Sequence, residues 1–284
     1  MSTHDQPSLH VAGFDLPYLI EGTGRPVIVI GDTNYYPRTF SAALRQHLQM
    51  IFMSHRGFGR ATAPFTSADF ELDVLVDDIE ALRQHLNLAQ VIIVGHSGHG
   101  YIALEYAKKY PQHVSHVVLL ALSPDSTFAS FQTADQYLEE SVCPERKTAL
   151  AESLNRLPAA IEAQPERAFI LRMLHSGPRI WYDYTYDASH LWEGVEIIPA
   201  MFDYVWGTLF RTLDITTGLE SVTPPVFLGL GRYDYWNPPH LWERCRGQFH
   251  DLRMRVFERS GHTPQLEEQA AFDRELLRWL GEIE

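Results

Sequence analysis

The decapeptide Val91-Ile92-Ile93-Val94-Gly95-His96-Ser97-Gly98-His99-Gly100 constrains the fold of this chain more than any other stretch. Four consecutive β-branched apolar residues are too short for a buried helix and read as a strand covered on both faces. The chain then passes through small residues into an amphipathic stretch at about 100–110, which predicts a helix ending before Pro111. A serine on so tight a strand-to-helix turn is held in strained backbone, tolerated only where its neighbours lack bulk, and Gly95 and Gly98 provide that room. The strain lifts the Ser97 hydroxyl above the sheet, and the helix N-terminus offers backbone N–H groups to an oxygen that gains negative charge.

The same rhythm recurs along the chain. Short apolar runs at 27–30, 50–53, 91–94, 117–120, 226–230 and 254–257 read as buried strands alternating with helices around a mostly parallel sheet. Segments 10–14 and 16–20 look like a leading antiparallel hairpin, with Gly13-Phe14-Asp15 as its turn. Leu72, Leu75, Val76, Ile79, Leu82 and Leu86 recur at spacings of three and four and form one apolar helical stripe. A last helix is expected over 265–280, burying Phe272, Leu276, Leu277 and Leu280. Between Pro124 and Pro224 the strand pattern lapses into helical segments broken by Pro144, Pro158, Pro165 and Pro178, and resumes at Pro225.

Composition narrows the function classes. Acidic residues outnumber basic ones 36 to 23, a formal charge of −13, so nucleic acid and anionic membrane surfaces are not expected partners. The polar start Met1-Ser2-Thr3-His4-Asp5-Gln6-Pro7 does not read as a signal peptide, and no apolar run approaches a bilayer span. Cys143 and Cys245 offer neither metal-ligand spacing nor a disulfide framework, so a cytoplasmic setting is expected.

A serine hydroxyl is a poor nucleophile at neutral pH and needs a base, which in turn needs an orienting acid. Directly after the strand at 226–230 comes Gly231-Arg232-Tyr233-Asp234, an aspartate at the sheet edge where such folds place their sites. Ser260-Gly261-His262 follows the strand at 254–257 and precedes the last helix. His96 and His99 flank the serine but point elsewhere on the turn, His55 belongs to another motif, and Asp125, just after the strand that ends near Leu122, occupies an alternative acid position seen in related folds.

These residues resemble the α/β-hydrolases and their nucleophile elbow Gly-x-Ser-x-Gly, with His99 in place of the final glycine. The order serine, acid, histidine is the family's. The run Thr263-Pro264-Gln265-Leu266-Glu267-Glu268 is similar to its entry into the last helix, and Ser54-His55-Arg56-Gly57-Phe58-Gly59-Arg60 to its Asp-x-Arg-Gly-x-Gly-x-Ser loop. The resemblance implies an α/β-hydrolase fold: a mostly parallel eight-stranded sheet flanked by helices. Its core would comprise 1–124 and 224–284, with an inserted helical cap at 125–223. It also implies Ser97 as nucleophile, His262 as base and Asp234 as orienting acid, without metal or organic cofactor. Where the family commonly carries His-Gly, this chain reads Gly31-Asp32-Thr33-Asn34-Tyr35-Tyr36. By position the Thr33 and Gly98 N–H groups would form the oxyanion hole, while Asp32 would bond loop amides or touch substrate.

The expected partner is a small-molecule substrate, apolar or aromatic, bound by Tyr35, His96, Trp181, Trp192 and Trp206 and cleaved at an ester or similar acyl bond. The motifs are most similar to the branch that holds proline iminopeptidases and small-molecule ester or C–C hydrolases. An aminopeptidase is therefore the alternative, with Asp183, Asp187, Glu193 and Glu196 available to a substrate amine. A ligand-binding receptor on the same fold is the alternative from another class, and a lyase or acyltransferase is a third reading.

Overall fold

The computed structural model describes residues 6–141 and 143–284. Nine strands form one sheet: β1 (Ser8–Val11), β2 (Phe14–Glu21), β3 (Arg25–Gly31), β4 (Leu48–Ser54), β5 (Arg60–Ala61), β6 (Val91–His96), β7 (Val114–Leu120), β8 (Val226–Gly231) and β9 (Leu252–Phe257). Eight of them run in the order β1-β2-β4-β3-β6-β7-β8-β9, and the two-residue β5 adds a ninth beside β2. Pairing is antiparallel at β1/β2, β2/β4 and β2/β5, and parallel from β4 through β9. The eight-stranded expectation therefore missed only the short strand at Arg60.

The central strands are buried on both faces, as Val-, Ile- and Leu-rich parallel strands must be. β9 departs from that expectation: it lies at the sheet edge and alternates, with Arg253 and Arg255 each 3.7 Å from Glu275 on the last helix. The leading hairpin turns at Ala12-Gly13, one residue earlier than expected. Both residues take positive φ (45° and 79°), the geometry of a two-residue turn matched to strand twist. Phe14 is already in β2 with its ring buried.

Helix α1 (Leu72–His85) buries Leu75, Val76, Ile79 and Leu82, the predicted stripe. Helix α2 (His99–Lys109) follows the Ser97 turn. From β7 to β8 the chain forms α3 (Phe128–Glu139), α4 (Pro144–Ala163), α5 (Ala168–His175), α6 (Gly177–Ile180), α7 (Pro199–Tyr204) and α8 (Phe210–Thr212). A π-helical turn, Val205–Leu209, joins the last two. Pro158 lies inside α4 without ending it. The carbonyl one turn earlier belongs to Leu154, on an exposed part of the helix where water can replace the lost hydrogen bond. The predicted terminal helix is two pieces, α9 (Pro264–Glu267) and α10 (Gln269–Leu280), because Glu268 takes non-helical angles between them. Among the described residues no helix is long and apolar enough to cross a membrane.

Candidate active site

Ser97 sits between β6 and α2 at φ +55°, a left-handed conformation that an L-residue adopts only when its surroundings hold it there. Its N–H donates to the Leu120 carbonyl (2.8 Å), and its own carbonyl accepts from the Gly100 N–H (2.8 Å). The flanking glycines are sterically required. A Cβ at Gly95 would stand 2.4 Å from the His99 carbonyl oxygen, and one at Gly98 would stand 2.7 Å from the Trp206 indole nitrogen. A Cβ at Gly100 would press on Leu122 at 2.5 Å, so the glycine one step late in the motif serves helix–sheet packing.

The loops after β8 and β9 bring Asp234 and His262 together. His262 Nδ1 is 2.7 Å from Asp234 Oδ2, and both side chains are buried. The other carboxylate oxygen, Oδ1, accepts the N–H groups of Trp236 (2.9 Å) and Asn237 (3.0 Å), which fixes the carboxylate plane. Close approach of the two loops needs Gly231, whose Cβ would overlap the Gly261 carbonyl oxygen at 1.8 Å. Glu267 Oε2 accepts from the N–H groups of Gly261 and Thr263, both at 3.0 Å, and so clasps the histidine loop from behind. His262 Nε2 is buried and has no hydrogen-bond partner among the described residues. No hydrogen bond joins it to Ser97 Oγ, a contact that commonly tightens only around substrate. Asp125, the alternative acid, is engaged elsewhere, accepting from Thr127 and Ser130 and pairing with Arg244.

His55, His96 and His99 form a structure that sequence reasoning missed. The Gly57 N–H donates to His55 Nδ1 (2.9 Å), so a neutral His55 carries its proton on Nε2 and donates to His99 Nε2 (2.9 Å). His99 Nδ1 then donates to the Tyr36 hydroxyl (2.8 Å), which donates to His96 Nδ1 (3.2 Å). His96 Nε2 completes the chain by donating to the backbone carbonyl of His262 (2.6 Å). Every donor has an acceptor, and the direction deduced from either end agrees. Burial holds His55 and His96 down to about 3, and His99 well below its ordinary range, which matches three neutral rings.

The loop after β3 departs from the expected oxyanion geometry. The Thr33 N–H is directed to Ser54 Oγ (3.3 Å), and Thr33 lines a separate concavity beside Gln6 and Arg60. Thr33 is therefore not an oxyanion donor in this conformation. Asp32 Oδ1 accepts the N–H groups of Asn34 (2.7 Å) and Tyr35 (2.6 Å), the loop-bonding role, with burial pushing its carboxyl up to about 6. Gly31 carries no side chain because the Tyr36 ring fills that space, 1.9 Å from where a Cβ would lie. The Gly98 N–H beside Ser97 has no acceptor among the described residues.

Ser97 and Gly98 open into a cavity of about 360 Å³. Tyr35, His96, Trp192 and Trp206 line it, together with Phe169 and Trp236. Trp181 does not: its ring is buried against Tyr186, 4.8 Å between centroids, because helical spacing alone does not reveal which side of a corner faces a ligand. Nor do the carboxylates considered for a substrate amine line it. Asp183 and Asp187 cap local turns through Thr185 and Ser189, while Glu193 and Glu196 are exposed.

A family model described as alpha/beta hydrolase fold matches residues 29–269. The AB hydrolase superfamily protein YclE of Bacillus subtilis (strain 168) is 39% identical over 272 residues, spanning 95% of this chain and 97% of that protein. A proline iminopeptidase of Heyndrickxia coagulans is 28% identical over 273 residues, spanning 87% of each. The crystal structure of a proline iminopeptidase from Mycobacterium smegmatis superposes with a TM-score of 0.76 at 16% identity, over 98% of both chains.

Proposed function

The chain belongs to the alpha/beta hydrolase fold family, and from that premise we propose that it is a serine hydrolase cleaving an ester or similar acyl bond of a small, largely apolar substrate. The observation that carries this reading is the buried His262–Asp234 pair with one imidazole nitrogen uncommitted, on the same sheet edge as a serine at φ +55°. Ser97 Oγ attacks the carbonyl as His262 Nε2 takes its proton. The Asp234 carboxylate holds the Nδ1–H tautomer and stabilises the imidazolium. The Gly98 N–H receives the oxyanion at the start of α2. The proton then passes to the leaving group, and water releases the acyl enzyme by the reverse sequence. Residues 125–223 act as a cap that supplies Phe169, Trp192 and Trp206 to the cavity wall, over a core made of the remaining chain.

The likeness to proline iminopeptidases supports a second reading, hydrolysis at a free N-terminal residue. The ester reading ranks first because no Asp or Glu lines the cavity among the described residues, leaving a substrate ammonium group without a counter-charge. Parallel assays with p-nitrophenyl acetate and prolyl-naphthylamide separate the two. The ester reading expects turnover of the first and none of the second; efficient release of naphthylamine would reverse the ranking.

A further inference from the structure

The cavity beside Ser97 carries charge of one sign. Its wall is aromatic, and among the described residues its only ionisable side chains besides tyrosine and the neutral histidines are Arg172 and Arg211. Arg172 lies on α5 one turn from Phe169, and both line the cavity. Arg211 lies on α8 directly after Phe210, its guanidinium 5.7 Å from the centre of the Phe131 ring, which also lines the cavity. Among the described residues neither arginine has a carboxylate within 4.0 Å or a side-chain hydrogen bond. Both side chains are exposed where they line the cavity, and two unpaired cations there set a positive local potential against the sign of the protein as a whole.

Resting on the serine-hydrolase reading for its chemistry, we propose that the substrate is an ester or lactone whose non-reacting end carries a carboxylate, received by Arg172 and Arg211 while its apolar body lies against Phe169, Trp192 and Trp206. Guanidinium is the cation best suited to this task, since its planar donor fork matches a carboxylate. The arginines are binding and specificity residues; they take no part in the proton transfers at Ser97. Their work is done equally in ground and transition states, so their loss raises KM and leaves kcat in place.

Two experiments test the proposal. The first compares mono-p-nitrophenyl esters of straight-chain dicarboxylic acids, from succinate to sebacate, with the same esters methylated at the free carboxyl. At the best chain length kcat/KM favours the free acid by about tenfold. The preference falls to within about twofold in Arg172→Gln/Arg211→Gln and survives in Arg274→Gln, which removes a charge from the far helix α10. A methylated ester that is the better substrate at every length overturns the proposal. The second experiment needs no turnover. Ser97→Ala is titrated with phenylvalerate and with its uncharged amide, following fluorescence of the cavity tryptophans. Tighter binding of the carboxylate, abolished in the double arginine variant, upholds the anion site even where hydrolysis fails. Equal affinities reject it even where hydrolysis succeeds.

Discussion

His262 Nδ1 stands 2.7 Å from Asp234 Oδ2, while Nε2 of the same ring is buried without a partner among the described residues. One nitrogen is committed and the other is free to take a proton, which is the state a general base must be in before its substrate arrives. Asp234→Asn keeps the shape of this pair but lets the imidazole adopt the wrong tautomer. Steady-state kinetics on a p-nitrophenyl ester should show kcat reduced by about 10³–10⁴-fold with KM little changed. Asp125→Asn should stay within about tenfold of the native kcat, since that carboxylate serves Thr127, Ser130 and Arg244.

Tyr36 joins the two halves of the histidine chain. Tyr36→Phe leaves His96 Nδ1 and the His99 Nδ1–H buried without partners, a loss of about 1–3 kcal/mol in urea unfolding. Because His96 donates to the His262 carbonyl, this variant should also lose more kcat than its stability change alone predicts. A variant with native stability and native kcat would show that the chain holds nothing in place.

Acid should unfold the protein through the same rings. Their folded values are depressed, to about 3 for His55 and His96, below the ordinary 6.5 of an unfolded chain. Between those limits the unfolded state binds protons that the folded state refuses. Their contribution is therefore complete above the unfolded value and is lost as pH falls from about 6.5 towards 3, by about 1.4 kcal/mol per pH unit for each ring. Asp32 and Glu267, raised by burial to about 6 and about 7, contribute with the opposite sign, and urea unfolding at stepped pH reads the sum as one slope of stability against pH. His55→Asn should make that slope less positive.

Gly95→Ala tests the strained turn. Its new methyl group meets the His99 carbonyl oxygen, which belongs to the backbone and cannot rotate away. Destabilisation of about 1–3 kcal/mol is expected, with loss of Ser97 reactivity beyond it. Gly207→Ala, where nothing lies within 4 Å of the added carbon, is the tolerated control.

Where neighbouring residues decide the outcome, the architecture was legible. Val91 to Val94 could only be a buried strand, and the glycines around Ser97 announced the turn. The stripe of α1 emerged because one helical face decides its burial. What stayed hidden depends on segments far apart in sequence. Thr33 was placed in the oxyanion hole by position, but Ser54 on the next strand takes its N–H. Trp181 is the local exception: it belongs to an aromatic cluster by composition, but its ring is buried against Tyr186, five residues on, and does not line the cavity. The chain through His55, His99, Tyr36 and His96 draws on three separate stretches, after β3, after β4 and at the β6–α2 junction, so no spacing could have disclosed it.

The central claim is that Ser97 is an activated nucleophile, and labelling by a fluorophosphonate probe tests it most directly. The native protein should react rapidly at neutral pH, with the adduct located by mass spectrometry on the peptide that holds Ser97, and Ser97→Ala should not react. Slower labelling in Asp234→Asn would tie the reactivity to the His262–Asp234 pair. A folded native protein that resists the probe, or an adduct that persists in Ser97→Ala, would contradict the account.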